Sequence, residues 1–107
     1  MNPQDRRFEP RAAASARGVV IAQGLELTCI IADLSPAGMR IRMDRNLMLP
    51  DRVTLIDVAA GVAYEAEVAW RKGQEAGLKR GAQAALRGLV PSRLAAARQA
   101  WMRAGER

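Results

Sequence analysis

The stretch VAYEAEVAWRKGQEAGLKR, residues 62–80, contains the clearest structural pattern in the chain. From Val62 to Trp70, apolar side chains alternate with polar ones, which is the period of a strand with one buried face. The tripeptide Lys72-Gly73-Gln74 then provides a turn. Glu75–Arg80 follows as a shorter and weaker strand. This part of the chain therefore predicts two adjacent strands joined by a tight turn.

The same period of two occurs repeatedly on the N-terminal side of this stretch. Gly-containing turns and a loop over 43–51 separate the repeats, which is typical of an all-β domain. Six short strands in total predict a mainly β fold, a six-stranded antiparallel barrel or a sandwich, and closure of the sheet would remove exposed edges. The four additional strands are predicted at Arg17–Ala22, Leu25–Ala32, Met39–Met43 and Arg52–Val58.

Beyond Gly81 the pattern changes to that of a helix. Strong helix formers follow Pro91, and the apolar residues Leu94, Ala97 and Trp101 recur at helical spacing. We expect a C-terminal α-helix over about 91–104, with this apolar stripe packed on the barrel.

The first sixteen residues show no apolar period and contain two prolines and a cluster of charges. The predicted domain organisation is therefore a flexible basic N-terminal arm over 1–16, followed by a barrel with its helix over 17–107.

Composition limits the classes of function. Half of the 107 residues are hydrophobic and 26% are charged, which indicates one globular domain. Lys and Arg number 17 against 11 Asp and Glu, giving a net charge of +6. That excess indicates an anionic partner, although a solvated basic surface would have the same composition.

The chain contains no histidine, and Cys29 is its single cysteine. An internal disulfide is therefore impossible, and zinc sites and Ser-His-Asp catalysis are disfavoured. Cys29 lies in an apolar run and is interpreted as a core residue. We expect neither an enzyme nor a metal or cofactor. No apolar run reaches 18 residues and no signal-peptide pattern occurs, so we expect no membrane span and a cytoplasmic location.

Two clusters of residues could bind a ligand. Arg7 and Arg11 form an RxxxR pattern in the arm, and guanidinium groups suit phosphate oxygens and guanine edges. A second pattern, DxSxxG, is formed by Asp33, Ser35 and Gly38. The aspartate supplies a carboxylate for guanine N–H donors, the serine supplies a hydroxyl, and the glycine leaves a position without a side chain. Taken singly, the first is more typical of a solvated tail and the second of a turn.

Together the two clusters resemble the PilZ domain, a bacterial receptor module for cyclic di-GMP. Asp33 follows Arg11 by 22 positions, within the 20–30 that separate the two motifs in the family. The strand, turn and strand of residues 67–80 are also similar to the family's second half. The resemblance extends from about Asp5 to Gly81 and into the helix. It implies a six-stranded antiparallel barrel with a C-terminal helix.

The resemblance also implies a two-sided clamp on cyclic di-GMP. Arg7 and Arg11 would close over the barrel mouth, while Asp33 and Ser35 hold a guanine and Gly38 leaves room for it.

Two further arginines are assigned to the same site. Arg6 precedes the RxxxR motif and favours two stacked ligand molecules, and Arg40 would add a phosphate contact or remain solvated. Ordering of the arm would then signal to an unidentified partner protein in motility, adhesion or polysaccharide control.

The sequence is compatible with two alternative functions. One is a PilZ-like barrel that acts as a protein-interaction module without nucleotide, which intact motifs disfavour. The other is a small RNA-binding barrel, which should expose several aromatic side chains. The chain has only four aromatic residues, and the alternation places Tyr64 and Trp70 on the apolar face of their strand. Trp70 is accordingly interpreted as a core or barrel-rim residue, and no nucleic-acid partner is expected.

Overall fold

A computed structural model describes residues 16–46 and 48–105 of the chain. Its strands form a closed antiparallel barrel in the order β1-β2-β3-β6-β5-β4, with β4 pairing back onto β1. The prediction of a six-stranded antiparallel barrel with a C-terminal helix is confirmed. The strands are β1 (Ala16–Ala22), β2 (Leu25–Leu34), β3 (Gly38–Met43), β4 (Arg52–Asp57), β5 (Val62–Lys72) and β6 (Glu75–Ala85).

Aliphatic side chains from all six strands fill the barrel interior, because alternate residues of each strand point inward. Cys29 is among them, which confirms its interpretation as a core residue. Burial raises the pKa of its thiol from 9.0 to about 12, so the group is neither nucleophilic nor readily ionised. The largest fully buried side chains of this core are Val20, Ile31, Ile41, Leu49 and Leu55.

A 3₁₀ turn (Ser92–Leu94) leads into the single described helix, α1 (Ala95–Gly105). Small side chains of α1, among them Ala97 and Ala100, pack on the outer face of the barrel against Val19 and Ile56. The helix therefore encloses a second apolar cluster outside the barrel, as its apolar stripe predicted. No helix in the described part of the chain is long and apolar enough to cross a membrane.

β6 is longer than its sequence predicts. The strand was expected to end at Arg80, but it continues to Ala85 by pairing with β5, where Val62 lies opposite Ala85 and Tyr64 opposite Gln83. Glycine and alanine, which make up four of the five residues 81–85, have low intrinsic strand preference, so the sequence of this half does not resemble a strand. The neighbouring strand supplies the hydrogen-bonding partners, and tertiary pairing overrides local preference.

The far end of β5 also departs from the prediction. The β5–β6 register shifts between Val68 and Trp70, so the strand does not keep one apolar face along its length. Trp70 is consequently 43% exposed, and the prediction that it shares the apolar face with Tyr64 is wrong. Tyr64 itself is buried, as predicted.

Candidate functional site

The DxSxxG residues lie on the hairpin between β2 and β3. Ser35 donates its N–H to the carbonyl of Gly38 at 2.9 Å, and Gly38 donates back to the carbonyl of Ser35 at 3.3 Å. Pro36 and Ala37 occupy the two central positions, where the fixed φ of proline favours a turn. The Ser35 hydroxyl is exposed and lies 3.3 Å from both the N–H and the carbonyl oxygen of Gly38. The sequence thus places Asp33 at the end of β2 and Ser35 on the turn itself.

Asp33 forms an ion pair with the arginine opposite it on β3. Its Oδ2 accepts from Arg40 Nε at 3.0 Å and lies 2.9 Å from Arg40 Nη2. Arg40 Nη1 donates to Glu75 Oε2 at 3.3 Å. The hydrogen bond to Asp33, together with the charges of both carboxylates, raises the pKa of Arg40, so the guanidinium remains charged. Both partners are partly exposed, so the pair remains accessible to a ligand.

Arg40 therefore has a role that its sequence position did not reveal. Its side chain is directed to Asp33 and Glu75, from strands β2 and β6, and the phosphate contact predicted for it stays a prediction. In this arrangement the guanidinium orients the carboxylate that the sequence analysis assigned to guanine.

Gly38 is required by a close approach of two strands. A Cβ at this position would lie 2.9 Å from the carbonyl oxygen of Leu78, a backbone atom of β6. Gly38 pairs with Lys79 in the β3–β6 ladder. Its φ is not positive, so the backbone conformation at this position does not itself require glycine. The absent side chain thus serves the contact between β3 and β6, and the expected room for a ligand stays a prediction.

Trp70 lies on the outer face of the barrel beside the DxSxxG hairpin. It pairs with Gly77, which in turn pairs with Arg40, so the three residues follow one another across β5, β6 and β3. A Cβ on Gly77 would lie 2.1 Å from Trp70 Nε1, which shows that the indole lies directly over the glycine. An exposed indole that lies over a strand is a surface on which a base can stack.

These side chains line one shallow depression with a volume of about 380 Å³. It brings together Asp33, Ser35 and Gly38 with Arg40 and Trp70. Larger depressions exist, and two of them, of about 490 and 570 Å³, lie elsewhere on the barrel and include none of the three DxSxxG residues. Volume alone would therefore select a different site, but this depression combines a carboxylate, a hydroxyl, a guanidinium and an exposed indole.

The arm residues predicted to complete the site lie outside the described part of the chain. Arg6, Arg7 and Arg11 all precede residue 16, where β1 begins. Within the described residues, no group of three or more Asp, Glu, Cys or His side chains is arranged to hold a metal ion.

Trp70 lines the depression, which the apolar alternation did not predict, although the sequence contained a signal for it. The turn at Gly73 and Gln74 fixes a hairpin register in which Lys72 faces Glu75 and Trp70 faces Gly77. A large aromatic residue opposite a glycine commonly covers that glycine on the strand face they share. Following the hairpin register, rather than the apolar alternation, would have placed the indole on the outer face.

The fold and the site define a class of protein: a small closed β-barrel with a polar, partly aromatic depression on its outer surface. The family model of the PilZ domain matches residues 5–90, and the chain belongs to the PilZ domain family. PilZ domains are receptor domains for cyclic di-GMP, and the family is not a catalytic one. No curated protein matches the sequence.

Proposed function

We propose that this PilZ domain is a cyclic di-GMP receptor that closes its N-terminal arm over the ligand. In the proposal, Arg7 and Arg11 grip the ligand from the arm, and Asp33 and Ser35 hold a guanine at the barrel surface. Gly38 permits the strand contact on which the DxSxxG hairpin depends. We expect the domain to act in the cytoplasm, where PilZ domains usually function.

The observation that carries the proposal is the single depression that joins Asp33, Ser35 and Trp70. Its position relative to β1 supports the role of the arm. Ala16, the first residue of β1, pairs with Ile31, two residues before Asp33. Arg11 precedes Ala16 by five residues, which corresponds to a reach of roughly 17 Å for an extended chain. This connection supports the proposal that the arm arginines reach the depression.

Each polar group of the depression suits one part of the ligand. The Asp33 carboxylate would accept hydrogen bonds from the N1–H and N2–H donors of a guanine, partly replacing its bond with Arg40. The Arg40 guanidinium would then face the phosphates, since Glu75 continues to hold one of its nitrogens. A purine ring would stack on the exposed face of Trp70.

The magnitudes suffice for a physiological receptor. Hydrogen bonds to charged groups contribute roughly 1.5–3 kcal/mol each, and stacking on an aromatic side chain adds about 1–3 kcal/mol per base. Micromolar binding requires about 8 kcal/mol. Three or four such contacts reach that value after several kcal/mol are lost in ordering the arm and the ligand. Several residues must therefore act together.

A calorimetric titration of the purified protein with cyclic di-GMP tests the proposal. We expect binding to weaken with salt, because phosphate charge is neutralised, and Arg11→Ala or Asp33→Ala to lower the affinity at least tenfold. Arg52→Ala is the matched control, since Arg52 is an exposed arginine that pairs with Glu67 away from the depression. Parent-like binding by the Arg11 or Asp33 variant would contradict the clamp.

The same titration measures stoichiometry and separates the alternatives. Arg6 favours two stacked ligand molecules per protein, and a ratio of one would remove that role. GTP and single-stranded RNA serve as control ligands. Among the described aromatic residues, Trp70 alone is exposed on the sheet, which is too few for the stacking face of an RNA-binding barrel. A protein that binds neither nucleotide nor RNA would instead be a protein-interaction module.

Signalling would follow from ordering of the arm on the ligand. Arm, ligand and barrel surface would together form a new face for a partner protein in motility, adhesion or polysaccharide control. Amide exchange over 1–16 should slow when cyclic di-GMP is added. Equal exchange with and without ligand would show that the arm does not close.

A further inference from the structure

Arg80 contacts the DxSxxG turn from a distant part of the chain. The β3–β6 ladder ends where Gly38 faces Lys79, and Arg80 is the next residue of β6. Its Nη1 donates a hydrogen bond to the carbonyl oxygen of Ser35 at 2.9 Å, across 45 positions of sequence. The contact therefore links the turn that carries the motif to the half of β6 that pairs only with β5.

Two further contacts fix the guanidinium of Arg80. Its Nη2 donates to Gln83 Oε1 at 2.6 Å, and its central carbon lies 4.8 Å from the centre of the Tyr64 ring. Tyr64 is 5% exposed and belongs to the barrel core, so it offers a rigid surface. A cation over an aromatic face is attracted to it. The guanidinium is thus anchored to the barrel before it reaches the turn.

The bonds within the turn are unequal: the Ser35 N–H donates to the Gly38 carbonyl at 2.9 Å, but the remaining contacts are all 3.3 Å long. Pro36 and Ala37 are exposed, and the bond from the Gly38 N–H to the Ser35 carbonyl is long, at 3.3 Å. The strong donor of Arg80 approaches the same carbonyl more closely. A charged donor held by a rigid barrel restricts the turn more than a second weak bond within it would.

We propose that Arg80 is a positioning residue of the ligand site. It holds the Ser35–Gly38 turn in the conformation that presents the Ser35 hydroxyl, and it does so without being among the residues that line the depression. For its effect on the ligand, the inference rests on the proposed function. For its effect on the turn, it stands on the geometry of the ligand-free protein.

The contacts require arginine and not merely a positive charge. A guanidinium is planar and can donate from two nitrogens while its face lies on a ring. A lysine at this position would keep the charge but could not make the three contacts together. The pair Arg80→Lys and Arg80→Ala therefore separates the geometry of the side chain from its charge.

The first measurement is made without ligand. Backbone order parameters of the Ser35–Gly38 turn, obtained by ¹⁵N NMR relaxation, should fall from about 0.85 towards about 0.6 in both Arg80 variants. Gln83→Ala removes one anchor of Arg80 while leaving its charge, and should produce a smaller decrease. Arg52→Ala, the same loss of charge elsewhere on the barrel, should leave the turn unchanged. Order parameters for β5 and β6 should not change in any variant.

The second measurement is the affinity for cyclic di-GMP. Both Arg80 variants should bind about three- to tenfold more weakly, with the salt dependence of the parent, since no phosphate contact is lost. Parent-like order and affinity in Arg80→Lys would assign the effect to charge and overturn the inference. If the parent itself does not bind, the proposed function fails. The order parameters still decide whether Arg80 holds the turn, because they are measured without ligand.

Discussion

Replacing Gly38 with alanine tests whether this glycine serves the barrel or the ligand. An added Cβ would lie 2.9 Å from the carbonyl oxygen of Leu78. That oxygen belongs to the β6 backbone, which is held by pairing with β3 on one side and β5 on the other. The clash cannot be relieved by rotating a side chain, so the two strands must separate at the motif.

The size of the effect follows from the distance. Ordinary Cβ contacts lie between 3.4 and 4 Å, so β3 and β6 must move apart by roughly 0.5 Å. Overpacking of this kind costs about 1–3 kcal/mol. Since small domains are stable by only about 5–15 kcal/mol, the loss is readily measured.

Urea unfolding of the ligand-free protein is the assay. Gly38→Ala should lower the midpoint with little change in the slope of the transition. Gly105→Ala is the control, since its Cβ would meet nothing within 4 Å and the residue lies in the last turn of α1. That variant should be as stable as the parent or slightly more stable. If Gly38→Ala unfolds like the parent but binds cyclic di-GMP poorly, the glycine makes room for the ligand and the packing argument is wrong.

Three further variants test other parts of the structure. Gly77→Ala should displace the indole of Trp70, because the added Cβ would overlap it. Tryptophan fluorescence should change and cyclic di-GMP should bind about three- to tenfold more weakly, while the free energy of unfolding stays nearly the same. Unchanged fluorescence would refute the position of the indole over Gly77. Burial raises the pKa of the Cys29 thiol from 9.0 in the unfolded chain to about 12 in the folded protein. The buried neutral thiol therefore contributes its full stability below pH 9, and this contribution is lost as the pH rises towards 12. The free energy of unfolding should therefore fall by about 1 kcal/mol at pH 10 relative to Cys29→Ala, and parallel pH profiles for the two proteins would contradict the assignment. Trp101→Phe removes the 2.9 Å hydrogen bond from Nε1 to the carbonyl of Val58 and should cost about 1 kcal/mol in thermal or urea unfolding, whereas an unchanged midpoint would show that α1 does not depend on it.

Much of the barrel could be predicted because its information is local. Alternation identified all six strands, since one buried face imposes a period of two on each of them. The apolar stripe of the helix was equally informative, and α1 packs on the barrel through small residues such as Ala97 and Ala100. The DxSxxG motif could also be placed, because Pro36 and the flanking strands define a hairpin wherever the barrel forms.

The parts that could not be predicted depend on partners far away in sequence. The second half of β6 is a strand only because β5 pairs with it, and its own residues favour other structures. Arg80 has a role only because the barrel brings it to Ser35, 45 positions away. No local pattern contains either relationship.

By itself, the sequence determined the strand count, the helix, the buried cysteine and the two motifs, since periodicity and short spacing reflect interactions between near neighbours. Only the tertiary structure decided which groups meet. Pairing of β3 with β6, which are distant in sequence, brings Leu78 against Gly38 and Glu75 to Arg40. The physical reason is that strand register across a closed sheet is a property of the whole barrel, and a shift of one residue reverses the face on which a side chain lies.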